Sequence, residues 1–86
     1  MTTAHSLDDQ IKTVLRDHGR LNKDSIALSH DADLYQAGLT SHASVNVMLG
    51  LEGLFDIEFP DQMLTRSVFS SIQSIRSALV ELGATA

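Results

Sequence analysis

The absence of cysteine places the strongest limit on how this chain can fold, because its 86 residues contain no thiol for a disulfide or a thiolate metal site. A domain of this size without such cross-links must be held together by its hydrophobic core. Apolar residues make up 43% of the chain, which is enough for one small core, and the chain is too short for two. We therefore expect a single domain over residues 1–86, with its core at about 6–83 and short flexible ends.

The charge balance and the hydropathy pattern disfavour two classes of partner. Eleven acidic residues against six basic ones give a formal net charge of −5, so the phosphate backbone of a nucleic acid would be repelled. No apolar run approaches the roughly 20 residues of a membrane span, and the first residues do not resemble a signal peptide. We expect a soluble, cytoplasmic protein that binds neither nucleic acid nor membrane.

Apolar residues recur at helical spacing in the first half of the chain. A first helix is predicted from Leu7, after Ser6 as N-cap, to Gly19, which suits a helix C-terminus. A second helix is predicted at about 41–55 with Thr40 as its N-cap. The face of this second helix that should enter the core consists of Val47, Met48, Leu51, Leu54 and Phe55.

A short turn and a third helix are predicted in the second half of the chain. The segment from Asp56 to Pro60 should break the second helix, because the residue before a proline is pushed out of the helical region, and a turn should follow at 61–64. Ser70 and Gln73 match a capping box for the last helix, which Gly83 ends. The stripe that this helix should bury consists of Ile72, Ile75, Leu79 and Leu82.

The segment between the first two helices lacks a regular pattern over nearly twenty residues. Loops of that length in compact domains are usually functional or contain a short helical turn. Leu34, Tyr35 and Leu39 are the residues expected to attach this loop to the core. The predicted fold class is all-α: a bundle of three main helices plus a short extra helical turn, with a long loop between the first two helices.

Patterns typical of enzymes and metal sites are lacking. No two of the four histidines are spaced as metal ligands on one helix face. Ser41, His42 and Asp33 could be drawn as a nucleophile and its bases, but a hydrolase also needs an oxyanion hole and a pocket. We therefore expect no catalytic residue and no metal site.

Ser41 has the position most suited to carry a chemical group. It follows a glycine-containing loop and falls in the first turn of the predicted second helix, where backbone N–H groups lack intrahelical acceptors. A phosphate ester on its hydroxyl would be stabilised by the positive end of the helix dipole. The same position also suits a plain capping serine, so spacing alone leaves both interpretations open.

Two segments resemble the acyl carrier protein family. The first is Asp33 to Ser41 with the apolar helix after it, and the second is Phe55 to Asp61; the resemblance covers about residues 31–80. It implies that Ser41 receives 4′-phosphopantetheine from a separate phosphopantetheinyl transferase. It also implies a carrier without catalysis of its own, because the cofactor's thiol holds the cargo as a thioester.

Departures from the usual family pattern point to a subset of carriers. Thr40 replaces an aspartate before the serine, and His42 replaces a leucine after it. The stretch from Gly38 to Leu49 is similar to bacterial carriers that a synthetase-like, ATP-dependent ligase loads with small amino acids such as glycine or alanine. A fatty-acid or polyketide carrier is the alternative, and a helical adaptor that carries nothing is a third interpretation. A downstream acceptor enzyme would complete the set of partners.

The second helix offers a surface on which such a ligase could dock. Val45 and Leu49 fall opposite the predicted core face and should be exposed. Gly50 and Gly53 each cost about 1 kcal/mol relative to alanine in a helix interior. They are either tolerated weak points or sites where the backbone of a partner approaches closely. The predicted docking residues are Thr40, His42, Val45, Asn46, Leu49 and Gly53.

Acidic residues are concentrated on both sides of Ser41. Between Lys23 and Arg66 the chain has seven acidic residues and no lysine or arginine. A charge run is usually only a solvated face, but this one surrounds the expected attachment site. We expect it to steer basic partner enzymes toward the loop and the second helix.

Overall fold

The computed structural model describes residues 7–19, 21 and 28–83. These residues form three α-helices, α1 at Leu7–Val14, α2 at Ser41–Phe55 and α3 at Ile72–Glu81. A π-helical turn at Leu15–Gly19 continues α1, and a 3₁₀ turn at Asp61–Met63 lies between α2 and α3. No strand occurs in these ranges. The predicted all-α bundle with a short extra turn is confirmed.

The first helix ends where the sequence predicts, but its last turn is wider than an α-turn. Leu7, Ile11 and Val14 are buried on one face, and Leu15 in the π turn is completely buried. Gly19 is the last residue of the π turn, and it is also the predicted end of the first helix. The predicted N-cap, Ser6, lies outside the described residues.

Helix α2 begins with the predicted cap. The Thr40 hydroxyl accepts a hydrogen bond from the Ala43 N–H at 3.0 Å. At the other end, Asp56 adopts the left-handed conformation (φ 54°, ψ 51°), which aspartate tolerates better than most residues, and its N–H donates to the Glu52 carbonyl. The helix therefore ends at Phe55 with Asp56 as its C-cap, which confirms the predicted end of the helix at about residue 55.

The buried face of α2 is narrower than predicted. Ala43, Val47 and Leu51 are buried and follow one another at intervals of four residues. Met48 and Phe55 pack against the core while partly exposed. The prediction is wrong for Leu54, which is 54% exposed: it lies within the angular range of this stripe, but it is in the last turn of α2, beyond the buried residues.

Gly50 allows α2 to pack closely on the end of the first helix. A Cβ atom added at Gly50 would lie 2.9 Å from His18 Cδ2 and 3.0 Å from Val14 Cγ1. Contacts of that length require one of the neighbours to move. The glycine is therefore explained by packing within the chain, and the idea that a partner's backbone approaches there is not needed.

The capping box of α3 is shifted by one residue from the predicted one. The Ser71 hydroxyl accepts from the Ser74 N–H, and the Ser74 hydroxyl accepts from the Ser71 N–H, both at 3.1 Å. The predicted pair, Ser70 and Gln73, is wrong because Ser70 instead binds the long loop: its carbonyl accepts from the Leu34 N–H at 2.7 Å. The helix does end before Gly83, which has φ 88°.

The long loop is attached to the bundle as predicted. Leu34 and Leu39 are buried in the core, and Tyr35 packs against it. A second hydrogen bond, from the Gln73 N–H to the His30 carbonyl at 2.8 Å, joins the loop to the start of α3. These contacts fix the position of the loop residues that precede Ser41.

Buried aromatic residues hold the segment between α2 and α3. The rings of Phe59 and Phe69 are both buried, and their centroids lie 5.6 Å apart in a tilted arrangement. The Glu52 carboxylate accepts from the Phe59 N–H at 2.9 Å and so ties the segment back to α2. One wall of the cavity at the candidate site is built on this segment.

Candidate functional site at the start of helix α2

Ser41 is the exposed first residue of α2, and other residues cap the helix in its place. Its carbonyl accepts from the Ser44 hydroxyl at 2.7 Å, while the Thr40 carbonyl accepts from the Ser44 N–H at 2.8 Å. The Thr40 hydroxyl accepts a hydrogen bond from the Ala43 N–H. Within the described residues the Ser41 hydroxyl makes no hydrogen bond, so it is available for modification.

A cavity of about 270 Å³ opens beside Ser41, between α2 and the segment that precedes α3. Helix α2 contributes Val45 and Met48 to its wall, and the opposite segment contributes Leu64 and Arg66. Most of the lining is apolar, with the Ser41 hydroxyl and the Arg66 guanidinium among the polar groups. We call this space the Ser41 cavity.

Arg66 and Tyr35 form a stacked pair in the wall of the Ser41 cavity. The Arg66 guanidinium carbon lies 3.8 Å from the centroid of the Tyr35 ring. The Tyr35 hydroxyl donates to the Arg66 backbone carbonyl at 3.3 Å. Partial burial raises the pKa of Tyr35, and this outweighs the lowering by the Arg66 charge, so the phenol stays protonated and able to donate. Sequence reasoning missed this pair, since the two residues lie far apart along the chain.

The predicted docking residues lie in three separate places around Ser41. Val45 lines the Ser41 cavity, whereas Thr40, His42 and Asn46 line a second cavity of about 280 Å³ that excludes Ser41. Leu49 and Gly53 lie further along α2. The predicted exposure of Val45 (50%) and Leu49 (54%) is confirmed, and nothing lies within 4 Å of a Cβ added at Gly53. We call Val45, Leu49 and Gly53 the outer face of α2.

The side chains that could have formed a catalytic group have other roles. The Asp33 carboxylate accepts from the backbone N–H groups of Tyr35 at 2.9 Å and Gln36 at 3.4 Å, so it stabilises the loop turn. His42 is exposed, and no hydrogen bond joins it to Asp33 or Ser41 in the part of the chain that is described.

The described residues contain no group of three or more histidine, aspartate or glutamate side chains placed to hold a metal ion. His18, His30 and His42 are exposed, and the fourth histidine, His5, lies outside these residues. None of the described helices is long and apolar enough to cross a membrane.

The residues around Ser41 suit a phosphodiester. The hydroxyl is exposed at a helix N-terminus, where an anion is favoured by about 0.3–1 kcal/mol. Arg66 supplies a positive charge, and the Ser41 cavity supplies apolar surface. A helical bundle with an accessible serine at the start of its second helix and a cavity at its side has the architecture of a carrier-protein domain.

Comparison with known proteins identifies which carriers this one is related to. The chain is 46% identical over 69 residues to the aminoacyl carrier protein of Agrobacterium fabrum, a match that covers 80% of this chain and 83% of the relative. No family model matches the chain. On the basis of that relative, the chain belongs to the aminoacyl carrier protein family.

Solved structures of related carriers have the same fold. The carrier protein from Agrobacterium tumefaciens, crystallised with ATP and an engineered Bradyrhizobium japonicum glycine:[carrier protein] ligase, matches with a TM-score of 0.84 and 43% identity over 87% of this chain and 97% of that one. A glycylated carrier protein in complex with the Bradyrhizobium japonicum ligase matches with a TM-score of 0.71 and 30% identity, covering 84% of this chain and 96% of that one. The predicted resemblance and the amino-acid carrier role are confirmed, in preference to a fatty-acid carrier, a polyketide carrier or an adaptor.

Proposed function

We propose that the chain carries a small amino acid, such as glycine or alanine, as a thioester on 4′-phosphopantetheine attached to Ser41. The observation that carries this proposal is the accessible, unengaged Ser41 hydroxyl at the start of α2 in an aminoacyl carrier protein. Once attached, the cofactor supplies a thiol at the end of a flexible arm. The complexes of two relatives with a glycine ligase support glycine as a cargo.

Ser41 serves as an anchor in this proposal, and partner enzymes perform the chemistry. On modification, a bond forms between Ser41 Oγ and the β-phosphorus of CoA, while the bond from that phosphorus to the nucleotide portion breaks. No base among the described side chains hydrogen-bonds the Ser41 hydroxyl, so a base of the phosphopantetheinyl transferase must take its proton. The helix N-terminus then stabilises the phosphodiester charge.

The proposed ligase docks around the same end of α2. The outer face of α2 presents exposed apolar side chains at Val45 and Leu49 and bare backbone at Gly53. Thr40, His42 and Asn46 extend this surface around the helix start. We place the loading reaction in the cytoplasm, where ATP and CoA are available, and a downstream acceptor enzyme then takes the amino acid from the thioester.

Intact mass spectrometry tests this proposal in two steps. The chain is first incubated with CoA and a broad-specificity phosphopantetheinyl transferase, and a gain of one pantetheinyl phosphate is expected. The modified chain is then given ATP, the candidate ligase and one amino acid at a time, and glycine or alanine should add a single alkali-labile aminoacyl group. A wild-type chain that gains no mass in the first step would refute the carrier proposal, and loading only by fatty or polyketide acids would refute the cargo.

A Gly53→Glu substitution is expected to slow loading by the ligase about tenfold, equivalent to about 1.4 kcal/mol. The new side chain would project from the outer face of α2 into the proposed interface, while the open space around Gly53 lets the helix remain folded. The measurement is kcat/KM for ligase loading of the modified carrier. Val80→Glu adds the same charge at an exposed position on α3 and should leave loading unchanged. Equal rates for wild type and Gly53→Glu would argue against this interface.

Loading is also expected to slow as salt rises. The seven acidic residues between Lys23 and Arg66 should attract basic partner enzymes, and salt screens that attraction over a Debye length of about 10 Å at 0.1 M. The rates of modification and of loading should therefore be measured from low to high ionic strength. We expect kcat/KM to fall as salt rises, mainly because KM increases, while kcat changes less. Rates that do not change with ionic strength would contradict electrostatic steering.

A further inference from the structure

Arg66 introduces an isolated positive charge beside the attachment site. It is the first lysine or arginine after Lys23 along the chain. Neither the ion pair of Arg16 with Asp17 nor that of Arg76 with Asp8 includes it. Its guanidinium instead stacks on the Tyr35 ring at 3.8 Å. The charge of Arg66 is therefore not neutralised by a carboxylate in the described part of the chain.

Stacking leaves Arg66 able to bind an anion. A guanidinium has five N–H donors in its own plane, and a ring packed against its face does not occupy them. The stack and the hydrogen bond from the Tyr35 hydroxyl to the Arg66 carbonyl limit the freedom of this residue. A partly ordered guanidinium loses less entropy when it forms paired hydrogen bonds to a phosphate.

The Ser41 cavity joins this charge to the modified serine. Ser41 and Arg66 both line it, and Val45, Met48 and Leu64 provide apolar wall between α2 and the facing segment. Its volume of about 270 Å³ is slightly below the roughly 300–1,000 Å³ of pockets that enclose a whole small-molecule ligand. The cavity therefore suits one fragment of a longer group.

The 4′-phosphopantetheine arm proposed for Ser41 carries a charged group and then an apolar group, which match the Arg66 charge and the apolar wall of the Ser41 cavity. Its first group is a phosphodiester, which carries one negative charge, and the next is a branched carbon with two methyl groups. We propose that Arg66, supported by Tyr35, pairs with the phosphodiester and that the Ser41 cavity receives the adjoining dimethyl segment. Arg66 is then a positioning residue that directs the start of the arm along the side of α2 facing the 64–69 segment.

This inference rests on the proposed function and has an electrostatic reason. The phosphodiester would be formed in a stretch of chain that has seven acidic residues and no lysine or arginine, so the added negative charge would be repelled. Arg66 is a positive charge in the same cavity and offsets that repulsion. Pairing of this kind restrains the arm near its anchor while leaving its thiol end free to reach partner enzymes.

Nuclear magnetic resonance of the modified carrier tests the pairing directly. On conversion of the unmodified chain, the Arg66 Nε–H resonance and the Tyr35 ring resonances should shift, and the arm's methyl protons should show contacts to Met48 and Leu64. In Arg66→Gln the phosphorus-31 resonance should move and sharpen, because the phosphodiester gains mobility. Arg66→Lys keeps the charge without the planar stack and should give an intermediate spectrum. Arg76→Gln, on α3, is the matched control and should match the wild type.

The possible outcomes separate this inference from the function on which it rests. Intact mass establishes first whether Ser41 carries the arm in each variant, and Arg66→Gln should be modified in full. Identical phosphorus spectra for wild type and Arg66→Gln would overturn the pairing while leaving the carrier function intact. Methyl contacts to Leu49, in place of Met48 and Leu64, would overturn the assignment of the cavity.

Discussion

A Ser41→Ala chain is expected to gain no mass when it is incubated with CoA and a phosphopantetheinyl transferase, whereas the wild type gains one pantetheinyl phosphate. Only Oγ of Ser41 combines an accessible, unengaged hydroxyl with the first position of α2. Removing that oxygen removes the atom that must bond to phosphorus. The loss should be complete, because no other described residue occupies an equivalent position.

Ser44→Ala provides the matched control for this experiment. Ser44 lies one helical turn after Ser41 and also lines the Ser41 cavity, but its hydroxyl is engaged with the Ser41 carbonyl at 2.7 Å. The Ser44→Ala chain should therefore be modified like the wild type. Full modification of Ser41→Ala, or loss of modification in Ser44→Ala, would show that the attachment site has been assigned to the wrong serine.

The second large effect is expected from two neighbouring leucines of α2 that face opposite ways. Leu51 is completely buried and Leu49 is 54% exposed. Leu51→Ala should lower the free energy of unfolding by about 2–5 kcal/mol, because it removes buried methyl groups and leaves a cavity. That is a large part of the roughly 5–15 kcal/mol that stabilises a typical small domain. Leu49→Ala should change it by no more than about 0.5 kcal/mol.

Ligase loading should show the reverse order of effects. Leu49 belongs to the outer face of α2, so Leu49→Ala should slow loading of the fully folded carrier. Leu51→Ala should load normally under conditions where the chain remains folded. Urea unfolding and loading kinetics on the same samples provide the comparison. A Leu49→Ala variant that loses stability as much as Leu51→Ala would mean that the two faces of α2 are assigned wrongly.

Local features of this chain were well predicted from its sequence, because a few adjacent residues determine them. The start of α2 depends on one hydroxyl and one backbone N–H three residues later, and the sequence places Thr40 there correctly. Ser41 could also be singled out from the sequence, because its place at the start of α2 depends on the same few neighbouring residues. The 3₁₀ turn at Asp61–Met63 likewise follows from its neighbours, and the turn predicted at 61–64 overlaps it closely.

The wrong predictions have in common that distant contacts decide them. Either Ser70 or Ser71 could cap α3 by local pattern, and the bond from Leu34 to the Ser70 carbonyl favours Ser71. Leu54 has the spacing of a core residue, yet none of the described elements covers it at the end of α2. The stacking of Arg66 on Tyr35 requires the long loop and the segment before α3 to meet, which no spacing rule predicts.

Thr40 and Ser41 have separate roles at the start of α2: Thr40 caps the helix, and Ser41 presents the free hydroxyl. Because Thr40 closes the first turn of α2, the Ser41 hydroxyl contributes nothing to holding the helix together. Esterifying it removes no stabilising hydrogen bond, so we expect modification not to destabilise the fold. The chain can thus fold before it meets the transferase and keep the same architecture through every cycle of loading and discharge.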